Sequence, residues 1–114
     1  MLLKIPQEKK IVWTSHSKMK MRQYQLSEKR VLSILRKPER KEEGIAPKTI
    51  AAMQVSGTKK HQTEVWMMYQ LKGEKIDRQI RIISAWRYPG RTPIGQKPTI
   101  PDDILEELER DQTF

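Results

Sequence analysis

The chain contains no cysteine. Structural disulfides, thiolate nucleophiles and cysteine-ligated zinc are thereby excluded, and a reducing, cytoplasmic setting is the expectation. No apolar run approaches the ~20 residues that a membrane-spanning helix needs, so no membrane association is expected. The N-terminus carries Lys4, Glu8, Lys9 and Lys10 and lacks the apolar stretch of a secretory signal. Phosphate-cradling glycine loops, the Gly-x-Ser-x-Gly elbow and the His-Glu-x-x-His pair are all missing. Histidine is confined to His16 and His61, and acids are scattered up to residue 101. A catalytic metal would want a cluster of such ligands, so neither a metal nor any other cofactor is expected.

What is abundant is positive charge. Lys and Arg number 23 against 14 Asp and Glu in 114 residues, a net of +9. The segment Asp102–Phe114 holds six of the acids and one Arg, a net of −5, which leaves +14 on residues 1–101. Such a body attracts polyanions over long range.

Periodicity divides the chain into helices followed by strands. Ile11-Val12-Trp13 reads as a short strand or as an apolar lead-in to a helix. Thr14 or Ser15 is a suitable N-cap for a helix to about residue 25. A second helix is expected over 27–37, where Val31, Ile34 and Leu35 fall at i, i+3 and i+4, and Pro38 ends it. The charged stretch 39–48, with Gly44 and Pro47, reads as a loop. Strands are expected near 49–56, 62–71 and 78–88, joined by short turns into an antiparallel meander. Val31, Ile34, Leu35, Val65, Met67, Ile80 and Ile82 should form much of the core. Helices first and sheet after indicate a two-layer α+β domain over 1–91. Residues 92–114 are a Pro/Gly-rich arm and an acidic C-terminal helix from about Asp102 to Asp111. Its stripe of Ile104, Leu105 and Leu108 would be costly to leave wet, so it should dock, on the chain's own basic sheet face, elsewhere on the fold, or on a second copy.

The last strand carries the most chemistry. A two-residue period puts Ile80, Ile82, Ser84 and Trp86 on one face and Arg81, Ile83, Ala85 and Arg87 on the other. Guanidinium groups fit phosphates bidentately and stack on bases, so this strand suits RNA or DNA contact, or is simply a solvated arginine face. RNA can be cleaved without metal by a base, an acid and cations for the phosphorane. His16, at the expected start of the first helix among Lys18, Lys20 and Arg22, is the candidate acid or base, or else caps its own helix. His61 reads as a surface turn residue. Arg81 and Arg87 would stabilise the transition state. Lys20, Arg22 and Arg91 would hold phosphates, and Tyr24 or Trp86 would stack a base.

The run from His16 through Met21, Arg22, Tyr24, Leu26 and Ser27 to Val31 resembles the His-x4-Met-x2-Arg-x-Ile-Ser helix pair of short RelE-like proteins. Ile80-Arg81-Ile82-Ile83-Ser84-Ala85 resembles the Arg-Ile-Ile-Ser-Ala strand of BrnT-type toxins. The two matches bracket most of residues 12–91. The sequence departs where the family has Arg in the second turn, here Tyr24, and at the end of the toxin strand, here Trp86 followed by Arg87. The resemblance implies a RelE/barnase-like fold and a metal-independent endoribonuclease toxin of a toxin–antitoxin pair, acting on RNA in association with the ribosome, with an acidic antitoxin-like protein as partner. A non-catalytic RNA- or protein-binding module of the same fold is the alternative.

Overall fold

The structure, a computed structural model, describes residues 10–46, 48–73 and 78–96. The elements run β1 (Lys10–Trp13), α1 (Ser15–Gln23), α2 (Glu28–Arg36), β2 (Arg40–Glu43), β3 (Thr49–Gly57), β4 (Gln62–Lys72) and β5 (Gln79–Pro89). The fold is α+β: two helices with one five-stranded mixed sheet of order β1-β5-β4-β3-β2. The expected C-terminal helix lies outside the described residues.

Both helices start where their caps predict. Thr14 Oγ1 accepts the Ser17 N–H at 3.1 Å and donates to the Ile82 carbonyl at 3.0 Å, so the N-cap of α1 is also its tether to β5. Ser27 caps α2 by accepting the Arg30 N–H at 3.0 Å. Between them the chain reverses through a Schellman closure, with Leu26 N–H bonded to Met21 O and Gln25 N–H to Arg22 O. Gln25 supplies the left-handed residue, with φ of 57°. Met21 and Leu26 are buried together beneath this turn, while Met19 on the other side of α1 is 45% exposed. At the β3–β4 turn Gly57 has φ of 93°, and a Cβ there would collide with the His61 carbonyl.

The β3–β4–β5 meander is antiparallel as expected. The sheet as a whole is not. β1 pairs parallel to β5, Lys10 with Gln79 through Trp13 with Ile82, because the chain's first strand joins the far edge of the meander. A second correction concerns 39–48, expected as a loop. Arg40–Glu43 forms an edge strand on β3, alternating half-buried Arg40 and Glu42 with exposed Lys41 and Glu43. Period-2 alternation is present, but without an apolar residue it gives no hydrophobic signal.

A third correction concerns β5. Met68 pairs with Ser84 while Tyr69 pairs with Ile82, so Ile83 is an extra residue that resets the alternation. Ile80, Ile82 and Ala85 join the core shared with the helices, and Ile83 and Trp86 join the opposite face. The first core includes Val31, Ile34, Val65, Met67, Ile80 and Ile82 as expected, with Leu35 half-buried against it. The second comprises Ala51, Met53, Trp66, Met68, Ile83 and Trp86.

Candidate nucleic-acid interface

The site residues named from sequence divide between two places. The first is the seam where α1 lies along β5. His16 is half-buried there, its Nε2 3.1 Å from the Ser84 hydroxyl. One turn on, Lys20 is withdrawn to 2% exposure and its ammonium donates to Gln23 Oε1 at 3.0 Å. Tyr24 is half-buried and packs against both cores. Arg87 donates from Nε to the Tyr24 carbonyl at 2.9 Å, with Nη2 3.5 Å from that of Gln25. These carbonyls sit at the end of α1, where no further helical N–H is available, and the guanidinium there complements the negative end of the helix. Arg22 points outward and is exposed. Arg81, half-buried, pairs in register with Val12 and Gln70, separated from Arg87 along β5 by the bulge.

The second place is the sheet face that carries the other core. Trp86 is fully buried and stacked on Trp66, with ring centroids 6.1 Å apart and planes 8° apart. Its indole therefore offers no free face to a base from solvent. Among the described residues its Nε1, with Gln70 Oε1 and Arg78 Nε, is a buried polar atom without a hydrogen-bond partner. The Arg40 guanidinium lies 5.1 Å over the Trp66 ring.

Beside the tryptophans sits a residue not singled out from sequence. Glu64, fully buried in β4, accepts from the Trp66 indole at 2.9 Å and the Thr92 hydroxyl at 2.7 Å on Oε1. On Oε2 it accepts from Thr92 N–H at 3.0 Å, Arg91 Nε at 3.2 Å and Arg40 Nη1 at 3.4 Å. Burial raises the carboxyl's pKa, but the bonds from Thr92, Trp66 and Arg91 outweigh this and hold it below its ordinary value. With its lone pairs so occupied, this carboxylate is poorly placed to take a substrate proton.

Its partners show what the network does. Arg40 also donates to the Thr92 carbonyl at 3.0 Å and the Pro93 carbonyl at 2.9 Å, and Gly95 N–H donates to Glu42 at 2.9 Å. The chain leaving β5 is thus pinned back across the second face, from β4 to β2. The sequence signal for this was a lone acid just before the apolar run Val65–Tyr69, two residues from a tryptophan.

Exposed charge is one-sided. Among the described residues twelve bases are exposed: Lys10, Lys18, Arg22, Lys29, Arg36, Lys37, Lys41, Lys48, Lys59, Lys60, Lys72 and Arg91. Three acids are: Glu28, Glu39 and Glu43. No group of three or more His, Asp or Glu among the described residues could hold a metal ion, and no described helix is long and apolar enough to cross a membrane. Compared with protein-family models, with curated proteins and with solved structures, the chain matches none.

Proposed function

We propose that the chain is an RNA-binding module that recognises the phosphate backbone and does not cut it. The observation that carries this reading is the fourfold excess of exposed Lys and Arg over exposed Glu among the described residues. Lys18 and Arg22, one helical turn apart on the outer side of α1, are the central contacts, with Lys59 and Lys60 in the β3–β4 turn as further cations. Three residues that a nuclease would need mobile or open are otherwise engaged. Lys20 and Trp86 are buried, and Arg87 holds the end of α1.

The second reading is the metal-independent endoribonuclease toxin with a RelE-like two-layer fold, a C-terminal acidic helix, an acidic antitoxin-like partner and cytoplasmic action on ribosome-associated RNA. It is favoured by His16 Nε2 lying 3.1 Å from Ser84, between Arg81 and Arg87 in the β5 sequence. One experiment separates the two. Labelled single-stranded RNA is incubated with the protein in EDTA across a salt series. Binding with a log–log salt slope of about −3, the release of roughly four phosphates' counterions, and intact RNA is the expected result. Cleavage that His16→Ala abolishes would establish the toxin reading instead.

A further inference from the structure

We infer that the sheet face bearing Trp66 and Trp86 is the seat of the chain's own C-terminal segment, residues 97–114, packed with Ile104, Leu105 and Leu108 inward. Both helices contribute to the core on the other side of the sheet, where Met21, Leu26, Val31 and Ile34 lie. The second face displays Met53, Trp66, Met68, Ile83 and Trp86 instead, all at 0–2% exposure. Among the described residues, the partly buried hydrophobic groups packed against it are Tyr24, Ile45, Val55 and Tyr88. Four partly buried groups are a thin cover for side chains this large and this completely removed from water, so a further layer of the chain belongs over this face.

The course of the chain identifies the occupant. After β5 it is drawn across this same face by Thr92 on Glu64, Arg40 on Thr92 and Pro93, and Gly95 on Glu42. At Gln96 it therefore stands beside β2 with eighteen residues left and the tryptophan pair across the face from it, on β4 and β5. The helix that the sequence predicts over 101–111 would be ~16 Å long, and the span from β2 to β5 is about 14 Å at the usual strand spacing. Length, starting point and apolar stripe therefore agree. Charge agrees as well: residues 97–114 carry a net −4, opposite in sign to the +13 of residues 1–96.

The absence of cysteine makes the test direct. In the full-length chain Glu107→Cys, on the polar side of the segment, carries a nitroxide, and the three tryptophan indole resonances are compared. Trp13, packed with the other core, is the internal reference. Trp66 and Trp86 should lose most of their signal and Trp13 far less. Adding Leu105→Asp and Leu108→Asp should restore both resonances. Equal broadening of all three, or none, overturns the inference. So does broadening carried between molecules, when spin-labelled chains without isotope are mixed with isotope-labelled chains without the nitroxide, because the occupant would then be a second copy.

Discussion

Replacing Glu64 by Gln changes two atoms' chemistry and almost no volume, so it isolates the carboxylate that pins the chain after β5. Five donors converge on it: the Trp66 indole, the Thr92 hydroxyl and N–H, and Arg91 and Arg40. A Gln amide must turn its NH2 toward one set of them. Aimed at the Oε1 site, it can be accepted by a rotated Thr92 hydroxyl but confronts the Trp66 N–H. Aimed at the Oε2 site, it confronts Thr92 N–H and two guanidinium groups. Breaking one partner out of a buried ion pair costs about 3–5 kcal/mol, and the expected loss is ~3 kcal/mol because Arg91 remains able to reach solvent. That is a large share of the 5–15 kcal/mol that typically holds a domain folded. Urea unfolding followed by tryptophan fluorescence should show a lower midpoint with little change in slope.

The pH dependence supplies a second reading of the same variant. The folded-state pKa of Glu64 is lowered from the ordinary 4.5. Its stabilisation is therefore complete above 4.5 and disappears as pH falls through the folded value. The stability difference between wild type and Glu64→Gln should be constant from pH 7 to about 5 and should shrink below that. A difference below ~1 kcal/mol at pH 7, or one that grows on acidification, would refute the clamp.

Other outcomes follow from the same geometry. Arg87→Met should cost about 1.5–3 kcal/mol, the usual worth of a hydrogen bond to a charged group, while leaving RNA affinity nearly unchanged in a filter-binding assay. Gln25→Gly should stabilise the fold by ~0.5–1 kcal/mol, read as a higher midpoint in denaturant titration, because the left-handed conformation no longer opposes a Cβ. The double variant Lys18→Gln with Arg22→Gln should weaken RNA binding and flatten the log–log salt slope by roughly 1.4, with the thermal midpoint unaltered. His16→Ala should leave RNA binding within about twofold, since the ring lies half-buried against Ser84 and the phosphate contacts are the exposed cations.

Local signals made much of the fold legible. Thr14 and Ser27 announce their helices through side-chain oxygens, and the meander follows from three β-rich runs divided by short turns. What was not legible depends on partners distant in sequence. β1 is parallel because its neighbour lies sixty-nine positions away, at Gln79 for Lys10. β2 pairs with β3 while Arg40 and Glu42 bond to polar partners, Arg40 to Glu64 and Thr92 and Glu42 to Arg40 and Gly95, which hydrophobic periodicity cannot register. At the site, the arginines of β5 were visible as cations, but their allegiances were not. Arg87 serves the α1 carbonyls, and Ile83, by adding one residue, reassigns which side chains share a face. Glu64 was missed because a single acid in a largely apolar strand has no motif around it, and its partners Arg40, Arg91 and Thr92 lie twenty-four to twenty-eight positions away.

The pairing of β1 with β5 also orders events in time. Thr14 binds Ile82, so the first strand and the cap of α1 find their partner only after the fifth strand exists. During synthesis at about 5–20 residues per second, residues 10–24 emerge early and then wait several seconds for β5. Throughout that interval the seam holding His16, Lys20 and Arg87 does not exist, whatever local helix has formed. An interrupted translation product that stops short of Pro89 would retain most of the positive charge and lack the edge on which it is arranged.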